Sequence, residues 1–161
     1  MNVITDAITA KVTATTEVET FGESGDSFGF DDSMGFSVQA NNDFFNSIGG
    51  RFYYQEAPQE TTYPYCVYFL INTAYEFTFL EDFERALIQF NIYSDTNSSE
   101  ETGEIQEYLK TLFDWCSLTI SGYTHLKMER NFSDTSRFDA DKVWQCVVQY
   151  TLLIQKEGVR T

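Results

Sequence analysis

The chain has 161 residues, of which 42% are hydrophobic and 17% aromatic, and 25 acidic and 10 basic residues give it a formal net charge of −15. This size and composition predict one globular domain rather than a disordered chain, and no apolar run approaches the about 20 residues of a membrane-spanning helix. The acidic surface disfavours binding to nucleic-acid phosphates or anionic lipid, and an N-terminus without a basic and an apolar region predicts no signal peptide.

The first predicted element is an amphipathic helix within residues 1–14. Its apolar residues recur at helical spacing and form one stripe, made of Ile4, Ala7, Ile8 and Val12. Lys11 is the one polar residue in that stripe. The run from Thr13 to Thr16 predicts the end of the helix, because threonine is a poor helix former.

Residues 15–42 differ in composition from the rest of the chain. Glycine is interleaved there with single aromatic and acidic residues, and no basic residue occurs between Lys11 and Arg51. So long a loop inside a compact domain is usually either functional or disordered. We predict a mobile acidic insertion, rich in glycine and phenylalanine, that becomes ordered on a partner; a floppy loop and a β-hairpin are the alternatives. The residues predicted to contact that partner or a channel are Glu23, Asp26, Phe28, Phe30, Asp31, Asp32 and Phe36.

A pair of glycines and the only two prolines of the chain mark the next region. After a short apolar turn at 43–48, the glycines precede an aromatic strand that begins at Arg51. Pro58 is expected in the loop that follows, because proline cannot donate a hydrogen bond to a sheet. Pro64 is tolerated at the start of the next strand, which is predicted over 65–79.

The remaining pattern predicts three further strands and one helix. Helical spacing predicts the helix over 98–116, which Ser98 and Glu101 would begin as a capping box. The strands are predicted over 83–93, 123–132 and 142–156, with a polar turn at 133–141 and a tail at 157–161. The chain is therefore predicted to be a single α+β domain with residues 43–156 as its core. It would be an antiparallel sheet of about four or five strands with two helices packed on one face.

The sequence contains no recognisable catalytic, cofactor or metal site. His125 is the only histidine. Simple alternation along its strand places it on a charged, exposed face with Tyr123, Lys127 and Glu129, where a lone imidazole builds neither a zinc site nor a catalytic relay. The three widely spaced cysteines form no Cys-x-x-Cys pair and are expected to be buried free thiols. Phosphate-binding loops and serine elbows are absent from the sequence as well. We therefore expect that the chain is not an enzyme and binds no cofactor.

The region around the glycine pair and the prolines resembles a known family. It follows the order Gly-Gly-Arg-aromatic-Tyr, then Ala-Pro-Gln, then Pro-Tyr and an aliphatic residue. The motif residues are Gly49, Gly50, Arg51, Phe52, Tyr53, Ala57, Pro58, Gln59, Pro64, Tyr65 and Val67. In this motif and in the order of its predicted elements, the chain is similar to the tail-completion, or tail-terminator, proteins of long-tailed bacteriophages. It departs from them at residues 15–42, where the family has a short connection.

The resemblance implies a structural virion protein, assembled in the host cytoplasm, that forms a ring of six subunits. The ring would cap the tail tube, end its growth and bind the head connector or stopper protein. DNA would pass through it without specific binding, and no membrane would be involved. The residues expected at subunit contacts are Arg51, Tyr53, Tyr54, Pro58 and Gln59. Arg51 would form either an internal pair or a salt bridge between subunits.

Two other interpretations stay open. A head–tail stopper or a tail-tube subunit shares a small α+β or β-rich architecture, and only the glycine–proline motif separates it from a tail terminator. A protein of another class, a monomeric α+β domain with an aromatic cavity for a small apolar ligand, is the second alternative. An open sheet also presents unpaired backbone groups to which another subunit can add a strand.

Overall fold

The computed structural model describes residues 2–17, 39–78 and 81–158. The elements in those ranges are α1 (Val3–Thr13), β1 (Thr15–Glu17), β2 (Gln39–Asn41), α2 (Asp43–Ser47), β3 (Phe52–Tyr54), β4 (Tyr65–Phe77), β5 (Asp82–Ser94), α3 (Glu100–Phe113), β6 (Tyr123–Phe138) and β7 (Val143–Lys156). Five strands form one sheet in the order β3-β4-β5-β7-β6, and β1 pairs with β2. The predicted α+β class is confirmed.

The short strand β3 makes the sheet mixed rather than antiparallel. It runs parallel to β4, with Tyr53 opposite Val67, whereas the other neighbouring strands of this sheet are antiparallel. The prediction of a purely antiparallel sheet is therefore wrong at this edge. The reason lies in the connection over 55–64, which is long enough to carry the chain back to the same end of the sheet; a tight hairpin turn would have produced an antiparallel pair.

The strands β1 and β2 hold the two ends of the insertion together. They pair antiparallel, with Thr15 opposite Asn41 and Glu17 opposite Gln39. The insertion therefore leaves and rejoins the chain at adjacent points. Residues 18–38, where most of the predicted mobile loop falls, lie outside the described residues.

Asn42 joins the first two helices. Its Oδ1 accepts hydrogen bonds from the Phe44 N–H at 3.0 Å and the Phe45 N–H at 3.4 Å, which caps α2. Its Nδ2 donates to the carbonyl of Val12, near the end of α1, at 3.0 Å. The segment predicted as an apolar turn is therefore a short helix, α2, in addition to the two that were predicted, and its start is bonded to α1.

The three helices cover one face of the sheet and form a single core with it. Phe90 lies within this core, with its ring centroid 4.9 Å from Phe113 and 6.0 Å from Tyr68 and Tyr150. The buried residues of the helical layer include the predicted stripe of α1, Phe44 of α2, Ile48 directly after α2, and Ile105, Leu109 and Phe113 of α3. Full burial of one such side chain is worth about 1.5–3 kcal/mol. Apolar burial on this face therefore holds the helices to the sheet.

The helix α3 begins at Glu100 with Ser99 at the N-cap position, so the predicted capping box is wrong. The Glu101 carboxylate instead accepts a hydrogen bond from the hydroxyl of Ser94, which is fully buried at the end of β5. The Ser98 hydroxyl accepts from the N–H of Glu100 at 3.3 Å. A tertiary contact thus replaces the local cap, because it satisfies a buried hydroxyl.

The strand β6 is longer than predicted and contains two β-bulges. It continues to Phe138, where a polar turn was predicted, because residues 133–138 pair with β7. The register shifts between His125 and Lys127 and again between Arg130 and Phe132. Each bulge moves the residues that follow it to the opposite face of the sheet. A simple alternation of faces along this strand was therefore a wrong expectation.

Candidate interaction surfaces

Main-chain contacts hold Arg51 in the turn before β3. Gly49 and Gly50 adopt φ angles of +57° and +73°, and a Cβ on Gly49 would lie 2.7 Å from Nη1 of Arg51. The glycine pair thus leaves room for the guanidinium to fold back. Its Nε donates to the Pro64 carbonyl at 2.9 Å and its Nη2 to the Tyr63 carbonyl at 3.4 Å. Arg51 therefore joins the starts of β3 and β4, and its salt bridge between subunits stays a prediction.

The aromatic residues of β3 fix this strand to β4. Phe52 stacks on Tyr68 with ring centroids 4.6 Å apart, and Tyr54 lies 5.1 Å from the same ring. Tyr53 alternates to the opposite face of the sheet and is half-buried. Tyr54 remains 39% exposed, so of these three residues it presents the most free surface to a partner.

The loop over 55–64 forms a wall of a groove on the helix-free face. Pro58 and Gln59, both predicted at subunit contacts, are exposed in this loop. The groove has a volume of about 440 Å³, and its lining includes Tyr65 and Tyr93, whose rings stack 5.0 Å apart. Burial, with smaller contributions from two neighbouring tyrosines, raises the pKa of Tyr65 to about 12. The two tyrosine rings therefore stay uncharged at neutral pH, while the loop wall of the groove carries the carboxylates of Glu56 and Glu60.

The structure brings together the predicted contact residues of the 51–59 region only. The predicted residues of the acidic insertion fall in the part of the chain that the structure does not describe. They are Glu23, Asp26, Phe28, Phe30, Asp31, Asp32 and Phe36. Their role stays a prediction.

The outer strands of the sheet carry exposed apolar side chains that were not among the predicted contact residues. Within the described ranges, every strongly exposed large apolar residue lies on β3, β4 or β6 or directly after α3, and none lies on the central strands β5 and β7. Besides Tyr54, they are Ile71, Tyr75, Phe77, Trp115, Leu126, Phe132 and Phe138. Such residues are typical of surfaces that another protein covers. The bulges in β4 and β6 put Ile71 and Leu126 in this set, and no sequence signal marks a bulge.

Trp115 is the most exposed of these side chains, at 74%, and has a φ of +57°. A left-handed backbone is uncommon for a bulky residue and needs support from its surroundings. The preceding residue, Asp114, accepts a hydrogen bond from the hydroxyl of Tyr150 at 2.7 Å, and its Oδ2 lies 3.4 Å from Nη2 of Arg130. These contacts anchor the end of α3 to β6 and β7 and keep Trp115 at the surface beside β6.

Charge is unevenly divided between the two sides of the sheet. The span 52–94, which contains β3, β4 and β5, has six acidic residues and one basic residue. The span 123–156, which contains β6 and β7, has four acidic and five basic residues. The chain as a whole is strongly acidic, so the β6–β7 side is the exception. The two outer edges therefore differ in charge although both are apolar in part.

Uncharged amides cover the middle of the helix-free face. Gln149 donates to Gln89 at 2.8 Å, and Gln89 donates to Asn91 at 2.8 Å. Two cations line this face, and each has an acidic partner. Nη2 of Arg85 lies 3.0 Å from Glu76, and Nζ of Lys127 forms an ion pair with Glu129. This face therefore offers paired charges and amides rather than free cations.

His125 and the three cysteines are all buried or half-buried. The bulge after His125 separates it from Lys127 and Glu129, so the prediction of one exposed, charged face for all three is wrong. His125 is half-buried, and burial lowers its pKa. Cys66 and Cys146 are buried free thiols, and burial raises the pKa of both. The third cysteine, Cys116, follows α3 and is half-buried rather than buried.

Two further kinds of site are absent from the described ranges. None of their helices is long and apolar enough to cross a membrane. No cluster of three or more His, Cys, Asp or Glu side chains there is arranged to hold a metal ion.

Comparison with known proteins finds a likeness of fold. No family model and no curated protein matches the chain. Among solved structures, a chain from the virion of a native gene transfer agent particle has a similar fold, with a TM-score of 0.63. The similarity covers 73% of this chain and 88% of that chain, at 8% sequence identity. At so low an identity, the likeness establishes the fold alone.

Proposed function

We propose that this chain is a structural protein of a virion and forms the tail-completion ring. Copies of the chain, six by resemblance, would close into a ring at the head-proximal end of a tail. The ring ends the growth of the tail tube and joins the tail to the head. The observation that carries the proposal is the likeness of fold to a chain of a virion particle, which spans most of both chains. The glycine–proline motif, which resembles that of tail-completion proteins, supports the more specific part of the proposal, a position at the end of the tail.

The two unlike edges of the sheet support a ring. An isologous dimer uses one self-complementary patch, whereas a ring needs two different patches that fit each other. The β4 side and the β6 side both expose large apolar residues, and they differ in charge. A head-to-tail contact uses both sides and leaves neither exposed. The 51–59 region lies on the β4 side, so its predicted subunit contacts belong to the same interface.

The charge distribution is compatible with DNA passing through the ring. The net charge of −15 repels phosphate groups. On the helix-free face, the cations Arg85 and Lys127 are both paired with carboxylates. DNA would therefore move past this face without binding to it. The stable partners would be the tail-tube protein and the head connector or stopper protein.

The test removes the gene for this chain from the genome that encodes it. Loss of a tail terminator leaves tubes of uncontrolled length and heads without tails, both visible by electron microscopy. Expression of the intact chain from a plasmid should restore finished particles, and a frame-shifted copy of the same gene is the control. Finished particles with normal tails in the deletion strain would contradict the proposal.

The same experiment separates the related roles. Loss of a tail-tube subunit removes the tubes altogether. Loss of a head–tail stopper leaves tubes of normal length beside heads that have not joined them. Gold-labelled antibody against this chain should mark the head-proximal end of the tail only.

A monomeric ligand-binding domain is the candidate of another class, and the groove beside Tyr65 is the observation that favours it. Light scattering over a range of protein and salt concentrations discriminates the two. A ring predicts self-association that strengthens with salt, because salt screens the repulsion between acidic subunits. A monomer under all conditions, with a small apolar ligand in the groove, favours the binding domain.

A further inference from the structure

We propose that neighbouring copies join by strand addition, with β6 of one copy pairing antiparallel to the outer edge of β4 in the next. The inference rests on the proposed ring and names the interface that builds it. The occupant of each edge is thus a second copy of this chain.

Both strands have backbone groups available for such pairing. The partner strand β3 covers only Cys66, Val67 and Tyr68 of β4. From Phe69 onward, no strand in the described part of the chain pairs with that side of β4. The strand β6 is 16 residues long, and among the described residues it pairs with β7 alone. Unpaired edges of this kind recruit a further strand because each added hydrogen bond satisfies an open main-chain group.

The strand directions allow a continuous sheet around the ring. Because β4–β5, β5–β7 and β7–β6 are all antiparallel, β6 runs opposite to β4. A neighbour rotated about an axis along the strands keeps its own strand directions. Its β4 would then meet β6 antiparallel. Followed across the sheet, Ala74 is level with Arg85, Leu153 and Lys127, so Ala74 and Lys127 mark the same height on the two edges.

Side chains on the two edges match in apolar character and differ in charge. On the β4 edge, Ile71 is 47% and Tyr75 61% exposed, and on β6, Leu126 is 42% and Phe132 49% exposed. Pairing would remove these apolar surfaces from water, which favours association. The β4 side is acidic and the β6 side has a slight excess of basic residues. Contact between unlike edges is therefore favoured over contact between two β4 edges.

The bulges explain why the contact would close rather than extend. β4 has a register shift at Ile71, and β6 has two, at Leu126 and Asn131. A bulge bends its strand and increases the local twist, which curves a sheet. Curvature supplies a rotation between neighbouring copies, and a head-to-tail contact forms a ring when that rotation closes and a filament when it does not. The bulky helices then lie outside, and the amide-covered face lines the lumen.

Disulfide trapping tests the pairing directly. Ala74→Cys on β4 is combined with one cysteine at a time on β6, at positions that share its face of the sheet. These are Thr124→Cys, Lys127→Cys, Glu129→Cys and Asp134→Cys. They lie at different heights along β6, so each tests a different register between β6 and the neighbouring β4. A disulfide forms only where Cβ atoms approach to about 3.5–4.5 Å, so one or two adjacent positions should react. Mild oxidation of the purified protein and of particles should then give a ladder of cross-linked oligomers on a non-reducing gel. The largest oligomer should contain as many copies as the ring.

Single-cysteine variants are the matched controls. In a head-to-tail contact, each added cysteine faces a neighbour that lacks one, so no ladder forms. A dimer from a single β6 cysteine would reveal pairing of β6 with itself and would overturn the inference. Far-ultraviolet circular dichroism verifies that each variant is folded.

The outcomes distinguish this inference from the proposed function. A ring by light scattering, with no ladder at any position in protein or particles, overturns the strand pairing and leaves the ring standing. Normal tails after deletion of the gene overturn the tail-completion role, whatever the ladder shows. A ladder confined to neighbouring positions, together with loss of tail-length control on deletion, supports both.

Discussion

The two faces of the sheet share one backbone but are stabilised in different ways. On the covered face, Phe90 and Tyr150 are completely buried under the helices. On the open face, Gln89 and Gln149 are half-buried, and Gln149 donates one amide hydrogen bond to Gln89. Apolar burial therefore supplies most of the stability of the covered face. On the open face, which meets solvent, the polar side chains are satisfied by hydrogen bonds. The same alternating pattern therefore supplies an apolar core on one face and a hydrogen-bonded polar surface on the other.

The largest expected effect is on the covered face. Phe113→Ala removes a ring that packs 4.9 Å from Phe90 and 6.0 Å from Tyr150. It should lower the free energy of unfolding by about 3–5 kcal/mol, because a buried aromatic leaves a cavity. Urea denaturation measures the change. Phe132→Ala, at an exposed position, is the control and should cost less than about 0.5 kcal/mol; equal losses would contradict the division between the faces.

An intermediate effect is expected for the buried hydroxyl of the covered face. Tyr150→Phe removes the hydrogen bond to Asp114 and should lower the free energy of unfolding by about 1.5–3 kcal/mol, the range for a bond to a charged group. Tyr93→Phe on the open face is the matched control. Its hydroxyl accepts from Gln145 at 3.2 Å and has a second side-chain hydrogen bond with Asn91. Both partners are uncharged amides and the tyrosine is only half-buried, so water can replace these bonds. If the control costs as much as Tyr150→Phe, burial does not set the value of these bonds.

The smallest effect is a pH dependence on the open face. The pKa of Tyr65 is about 12 in the folded chain, against 10.0 for an ordinary tyrosine. The folded chain therefore keeps a proton that the unfolded chain loses, so stability should fall as the pH rises from 10 to 12. Tyr65→Phe should reduce that slope. Solvent screening at this partly exposed site keeps the effect small.

Urea denaturation at several pH values measures the slope. Phe69→Leu is the control: neither side chain titrates, so this variant should leave the pH dependence of stability unchanged. A slope that is identical in wild type and Tyr65→Phe would show that Tyr65 is not responsible.

Periodic segments were predictable from the sequence, and features between segments were not. The strand predicted over 83–93 is Asp82–Ser94, and the apolar stripe of α1 is buried as expected. Both follow from side-chain spacing along one element. The cap of α3 was mispredicted because Glu101 bonds to Ser94, a residue of another element. The exposure of Trp115 likewise depends on contacts that its neighbour Asp114 makes with Tyr150 and Arg130.

The candidate surfaces were predictable to a smaller degree. Arg51 and the residues after it lie together as the motif indicates, but the carbonyl partners of Arg51 come from the start of β4. The edges of β4 and β6 were not identified, because a free edge is defined by which strand lies beside it. The polar run over 133–138 looks like a turn, and only pairing with β7 makes it a strand.

The sequence by itself determined the α+β class, the order of the main elements and the apolar faces that form the core. These properties depend on the 3.6- and two-residue periods of single elements, which every segment expresses locally. The tertiary structure alone decided that β3 is parallel, that bulges turn His125 away from Lys127, and that β4 and β6 hold the open edges. Each of these depends on contacts between residues far apart in the chain, and the free energy of such contacts leaves no local pattern.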